Sequence, residues 1–150
     1  MKIRVFLFDL FPINSDSKTF RSFGYAKFFR LVSENAHGSM TSAIQISKKF
    51  AQLHPKIIVS IGTPVSQVLL SLSTEQKIPL VFTAVTDPTA AGLIPNASRL
   101  VTGVSDFMSP KPQLEFFKKL LPHLKTIGIL YNPNEVNSVS YLKSFEKAVD

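Results

Sequence analysis

The sequence predicts an α/β fold, a doubly wound parallel sheet, on three observations. Short apolar runs of strand length, such as Ile57–Ile61 (IIVSI) and Leu80–Val85 (LVFTAV), alternate with longer segments of helical period. The run Val5-Phe6-Leu7-Phe8 is continuously apolar, as a strand covered on both faces requires. Turn and cap residues, including His54-Pro55, Gly62-Thr63-Pro64 and Ser109-Pro110, punctuate the joins. Right-handed crossovers then gather the strand-to-helix loops at the carboxyl edge of the sheet, where open α/β folds bind ligands.

In chain order, Lys2–Leu10 reads as the first strand, and Asn14–Asp16 opens a short helix ending near Gly24. Phe28–Val32 is the second strand. His37-Gly38-Ser39 turns the chain into a helix over Met40–Leu53, with Met40, Ala43, Ile44, Phe50 and Ala51 near one face and Lys48 and Lys49 towards the other. His54-Pro55 stops it. After strand Ile57–Ile61, Pro64 suits the first turn of a helix over Val65–Leu72, and Thr63 is positioned to cap it. Leu80–Val85 is the next strand, and Val101–Val104 an edge strand. A helix follows Ser109-Pro110, with Leu114, Phe117 and Leu121 on one side and Pro122 closing it. Thr126–Tyr131 reads as a strand and Asn137–Val149 as a final helix. The carboxyl-edge loops are therefore Phe11–Asp16, Gly62–Pro64, Thr83–Pro88 and Asn132–Ser138.

Composition narrows the function. The 150 residues are 45% hydrophobic with thirteen Phe, enough for a packed core and unlike a disordered chain. No cysteine is present, which excludes disulfides and thiolate metal sites. The net charge of +7 arises from seventeen Lys and Arg that are scattered along the chain, so a solvated surface is expected and no nucleic-acid partner. The apolar run near the N-terminus is interrupted at Asp9 and no segment has the length of a membrane span, so a soluble, unexported chain without membrane insertion is expected.

Enzyme motifs are missing. The sequence contains no G-x-x-x-x-G-K-[ST], no G-x-G-x-x-G and no G-x-S-x-G. His37, His54 and His123 sit beside Gly or Pro at helix ends, a pattern of surface or capping histidines; no metal and no cofactor is expected. Asn96-Ala-Ser98 matches a glycosylation sequon, too short a pattern to carry weight. Asp9 stands where phosphoaspartyl hydrolases carry their nucleophile, but Phe11 occupies the place of the second carboxylate such an enzyme needs. What remains at the carboxyl edge is hydroxyl, amide and carboxylate: Thr63, Thr83, Thr86, Asp87, Tyr131, Asn132, Asn137 and Ser138. Hydroxyls and helix N-terminal N–H groups suit a carboxylate, and Asp87 suits an ammonium. None has a base beside it to make a nucleophile, so binding without turnover is expected. Thr63, Asp87 and Asn137, taken singly, also read as helix caps and turn formers.

The runs IIVSIGTPVSQVLL, IPLVFTAVTDPTAAGLI, VTGVSD and LLPHLKTIGILYNPNEVNSVSYLKSFEKA together resemble the substrate-binding proteins of an ABC-transporter family. These are type I periplasmic binding proteins of the tryptophan- and tyrosine-receptor group. The resemblance rests on the order and spacing of GTP, TDP, Arg99-Leu-Val-Thr-Gly103 and YNPxExNS, and runs from about Glu34 to the end. It implies two α/β lobes closing on a small ligand: lobe one over residues 1–108, a crossover helix and hinge over 109–125, and an incomplete start of lobe two over 126–150. By motif, Thr63, Pro64, Ala84 (through its carbonyl), Thr86 and Asp87 would line lobe one's side of the cleft, and Asn137 and Ser138 would face them. The implied ligand is an aromatic amino acid or a similar small amphiphile, and the implied partner an ABC permease. Family members are periplasmic or extracellular lipoproteins and about twice as long, so a truncated binding protein is expected. A decayed fragment that no longer binds, and a hydrolase using Asp9, are the alternatives.

Overall fold

The computed structural model describes residues 4–9, 30–94 and 100–149. The expected helix between Asn14 and Gly24, the Phe11–Asp16 loop and the Asn96–Ser98 sequon lie outside the described residues. The elements run β1 (Arg4–Asp9), β2 (Arg30–Asn35), α1 (Met40–Leu53), β3 (Ile57–Ile61), α2 (Thr63–Gln76), β4 (Leu80–Val85), β5 (Val101–Ser105), α3 (Pro110–Leu120) and α4 (Val136–Val149). The five strands form one sheet of order β2-β1-β3-β4-β5, with β5 at an edge as the sequence predicts.

The parallel core of this α/β sheet is β3-β4-β5, in register Ile58↔Leu80 and Leu80↔Val101. The first strand differs from the expectation. β1 runs antiparallel to both neighbours, with Phe8 opposite Ile57 and Asp9 opposite Arg30. Its carboxyl end therefore lies at the amino edge of β3. Asp9 stands a strand's length, roughly 15 Å, from the carboxyl-edge loops. β2 is described from Arg30, and it runs to Asn35, three residues past the expected end and on the same edge as the end of β3; Phe28 and Phe29 lie outside the described residues.

α1 starts at Ser39, whose side chain accepts the Ser42 N–H at 3.2 Å, and ends at a left-handed His54 before Pro55. Its fully buried residues Ala43 and Phe50 join Ile58, Val65, Leu69, Leu72, Leu80, Phe82 and Val85 in one core. α1 packs on α2, and α2 packs on β3 and β4. The turn from β3 into α2 needs Gly62, whose φ of 97° is closed to most side chains. A buried chain of hydroxyls pins it. Ser66 Oγ donates to the Gly62 carbonyl at 2.8 Å, and Ser60 Oγ lies 2.7 Å from Ser66 Oγ, to which it is then the donor. α2 extends from Thr63 to Gln76, longer than predicted at both ends, and closes at a left-handed Lys77.

β4 and β5 part at their carboxyl ends. Register moves from Phe82↔Gly103 to Val85↔Ser105, so Thr83 and Ala84 together oppose one residue of β5. Ala84 takes a left-handed φ of 53°, which re-aims the chain leading to Thr86 and Asp87. Gly103 fits because β4 passes so close: a Cβ there would lie 2.2 Å from the Phe82 carbonyl oxygen.

Beyond β5 the chain crosses into α3 and α4, which pack on each other. Leu114 and Phe145 are buried there, whereas Phe117 and Leu121, expected on the same side as Leu114, are exposed. The predicted strand Thr126–Tyr131 is irregular. A strand exists only by pairing. The apolar run Ile127–Leu130 has the composition of one but meets no neighbouring strand among the described residues.

Candidate functional site

Four connections end at the carboxyl edge: Ala36–Ser39 after β2, Gly62 after β3, Thr86–Leu93 after β4 and Asp106–Ser109 after β5. The loop Asn132–Glu135 and the first turns of α4 face them across a crevice of three hollows.

The first hollow, about 320 Å³, joins Thr86, Asp106 and Met108 to Tyr131, Asn137, Ser138 and Tyr141. It unites four residues singled out in the sequence, Thr86, Tyr131, Asn137 and Ser138, of which Thr86, Asn137 and Ser138 were the motif-based ligand candidates. Asn137 Oδ1 is buried without a hydrogen-bond partner among the described residues. A buried acceptor left unpaired costs about 1–3 kcal/mol, so it is a strong site for an incoming N–H or O–H donor.

The second hollow, about 410 Å³, holds Asp87, Ala90, Asn134, Ser140 and Lys143. The Asp87 carboxylate is engaged within the protein: Oδ1 accepts the Ala90 N–H at 2.9 Å, and Oδ2 accepts the Ser140 hydroxyl. These bonds hold its pKa below the ordinary aspartate value, the Ala90 N–H contributing most, then Ser140; burial opposes them and the Thr89 N–H adds to them. The third hollow, about 390 Å³, lies between Pro64 and Gln67 of α2, the His37–Met40 start of α1, and Asn132, Asn134 and Glu135.

The other sequence candidates fall outside the hollows. Thr63 opens α2 with only 2% of its surface exposed, and Ala84 occupies the β4 bulge. Sequence reasoning passed over Ser140, Asp106 and the His37–Ser39 turn. The last was read as a helix start but not placed on the carboxyl edge, where β2 ends beside β3. Ser140 carried no signal, since its partner Asp87 lies 53 residues away. A fourth hollow, about 390 Å³ between α3, α4 and Leu124–Ile129, contains none of the candidates. No group of metal-binding residues occurs among the described residues.

A sheet whose carboxyl-edge loops face a second segment across a crevice is the framework of a ligand-capturing protein. The comparisons make the class specific. The family model for ABC transporter substrate binding proteins matches residues 18–150. The chain belongs to that family.

A tyrosine-binding protein of Clostridioides difficile is 38% identical over 108 residues, which are 70% of this chain and 31% of that protein. Among solved structures, a conserved domain protein of Vibrio cholerae superposes with a TM-score of 0.71 at 38% identity, covering 76% of this chain and 39% of that one. An ABC domain from Streptococcus pneumoniae in complex with L-Trp gives 0.70 at 33% identity, covering 77% and 40%. A ligand-free, open substrate-binding protein with adhesive properties from Clostridium difficile gives 0.55 at 37% identity, covering 76% and 39%. The chain thus spans about a third to two fifths of the length of these relatives.

Proposed function

We propose that this chain forms the ligand-capturing part of a substrate-binding component of an ABC importer, taking an aromatic amino acid or similar small amphiphile. Residues 1–108 are read as lobe one, 109–125 as crossover and hinge, and 126–150 as the start of lobe two. The hollow of Thr86, Asn137 and Ser138 carries the proposal, because it sets two hydroxyls and an unpaired buried acceptor beside Tyr131, Tyr141 and Met108. Polar groups fix a zwitterionic headgroup, while aromatic and thioether surfaces cover an apolar side chain. The Ala84 bulge delivers Thr86 to this hollow, and Thr63 and Pro64 shape the neighbouring start of α2. The relatives that are named for tyrosine binding or solved with L-Trp support the ligand class.

On this reading the protein is a binder without catalytic turnover. The reversed β1 supports that, since Asp9 sits at the edge opposite the crevice. A permease would receive the ligand, on the periplasmic or extracellular side. No helix among the described residues is long and apolar enough to cross a membrane.

Titration calorimetry with L-tryptophan, L-tyrosine and a panel of other amino acids tests the proposal. Binding of an aromatic member, weakened about tenfold or more by Asn137→Ala, is expected. Binding of none, or equal binding by the variant, would overturn it.

A further inference from the structure

The sequence marked Asp87 as a partner for a ligand ammonium, yet its carboxylate points elsewhere. Oδ1 is taken by the Ala90 N–H of its own turn, and Oδ2 reaches across the crevice to the Ser140 hydroxyl on α4. We propose that Asp87 and Ser140 form an interlobe latch, a side-chain clasp that favours the closed crevice whether or not ligand is present. The inference rests on the two-lobe reading above.

Both halves of the clasp are held in position by other contacts. On the sheet side, the Thr86 carbonyl accepts from Ser105 Oγ at 3.0 Å, and that oxygen accepts the Phe107 N–H at 3.0 Å. The ends of β4 and β5 are thereby stitched together just before Asp87. On the other side, Tyr141 donates to Gln113 Oε1 of α3 at 3.0 Å, and Ser144 Oγ donates to the Ser140 carbonyl at 3.1 Å. α4 therefore moves with α3, and Ser140 is carried on that rigid pair. The flank of the second hollow contributed by the α4 side is Pro133, Asn134, Val136, Val139 and Lys143. Lys143 is the charged group on that flank.

The hydrogen bond is charge-assisted, hence among the stronger kinds. Three hollows lie between the carboxyl-edge loops and the α4 side, so one such bond weighs heavily in the balance between closed and open forms. Asp87 and Ser140 are accordingly positioning residues, which set lobe closure without touching the ligand.

The test measures closure directly and needs no ligand. The chain has no cysteine, so a Lys48→Cys, Lys147→Cys pair on exposed faces of α1 and α4 takes two spin labels cleanly. Pulsed electron paramagnetic resonance on the labelled chain at neutral pH should show one narrow distance population. Ser140→Ala should raise the open-to-closed ratio by about tenfold, and Ser140→Thr, which keeps the hydroxyl, should restore the parent distribution. Asp87→Asn, which keeps an acceptor for Ala90, should fall between and carries the test alone if Ser140→Ala fails to fold. A parent-like distribution in Ser140→Ala, or in Asp87→Asn where that variant stands alone, overturns the latch. So does failure of Ser140→Thr to restore. Calorimetry with L-tryptophan on the same proteins separates the two proposals. Shifted distances with no binding by the parent chain would refute the ligand and keep the latch. Parent-like distances and affinity in Ser140→Ala would do the reverse.

Discussion

Replacing Gly103 by alanine strains the point at which the sheet hands its carboxyl edge to the crevice. A Cβ at this position would lie 2.2 Å from the Phe82 carbonyl oxygen and 2.5 Å from two atoms of its ring. A normal carbon contact begins near 3.5 Å, so β5 and β4 must separate by about 1 Å. Neither partner can yield cheaply. The first atom is backbone, and the ring belongs to a residue 2% exposed, packed in the core with Leu80 and Val85. Overpacking of this kind costs about 1–3 kcal/mol, and a backbone clash puts it near the upper end. For a chain of this size that corresponds to a fall in melting temperature of roughly 8–12 °C. Thermal unfolding followed by circular dichroism measures it. Gly128→Ala is the internal control: nothing lies within 4 Å of its Cβ and its φ is ordinary, so its melting temperature should stay within about 2 °C of the parent. Equal effects of the two substitutions would refute the packing argument.

Other consequences follow from the same geometry. Ser66→Ala strands the buried Ser60 hydroxyl and leaves the Gly62 carbonyl with the Ser66 N–H alone, and should cost about 1–3 kcal/mol in denaturant titration, whereas exposed Ser71→Ala should be silent. The pKa of Asp87 is depressed on folding, so its stabilising contribution is complete above the ordinary value of 3.8 and is lost as pH falls through the lower folded value. Spin-label distances should therefore hold from neutral pH down to about 5 and lengthen only below the ordinary range, with Ser140→Ala showing no such step. Leu130 is fully exposed in the unpaired run after α3. Leu130→Lys should leave the melting temperature within about 2 °C and reduce self-association in sedimentation, because it removes apolar surface without removing a contact.

The elements that the sequence predicted to the residue share one property, in that their boundaries are set by local chemistry. Ser39 caps α1 and His54-Pro55 ends it; a short β-branched run between turn residues makes β3; a six-residue run between Pro79 and Thr86 makes β4. Features set by distant partners were not legible. β1 has an apolar run suited to either direction, and its antiparallel sense is decided by β2 and β3. Ile127–Leu130 has the composition of a strand, but the sheet it would join is not among the described residues. The candidate site divides in the same way. Thr86, Asn137 and Ser138 meet in one hollow because the TDP motif follows the end of β4 and the YNPxExNS motif opens α4, both on the crevice. Thr63 was expected to cap α2, but Gly62 holds the cap position with no side-chain cap bond, and Thr63 is instead the first helical residue, buried by tertiary packing. The carboxylate of Asp87 is oriented by Ser140, a residue in no motif.

The central claim is that the Thr86–Asn137–Ser138 hollow receives a small aromatic zwitterion. Isothermal titration of the 150-residue chain with L-tryptophan and L-tyrosine, repeated with Asn137→Ala and Thr86→Ala, tests it most directly. The account predicts saturable one-site binding, weakened about tenfold or more in each variant at unchanged melting temperature. Saturable binding that both variants retain at full affinity would contradict it.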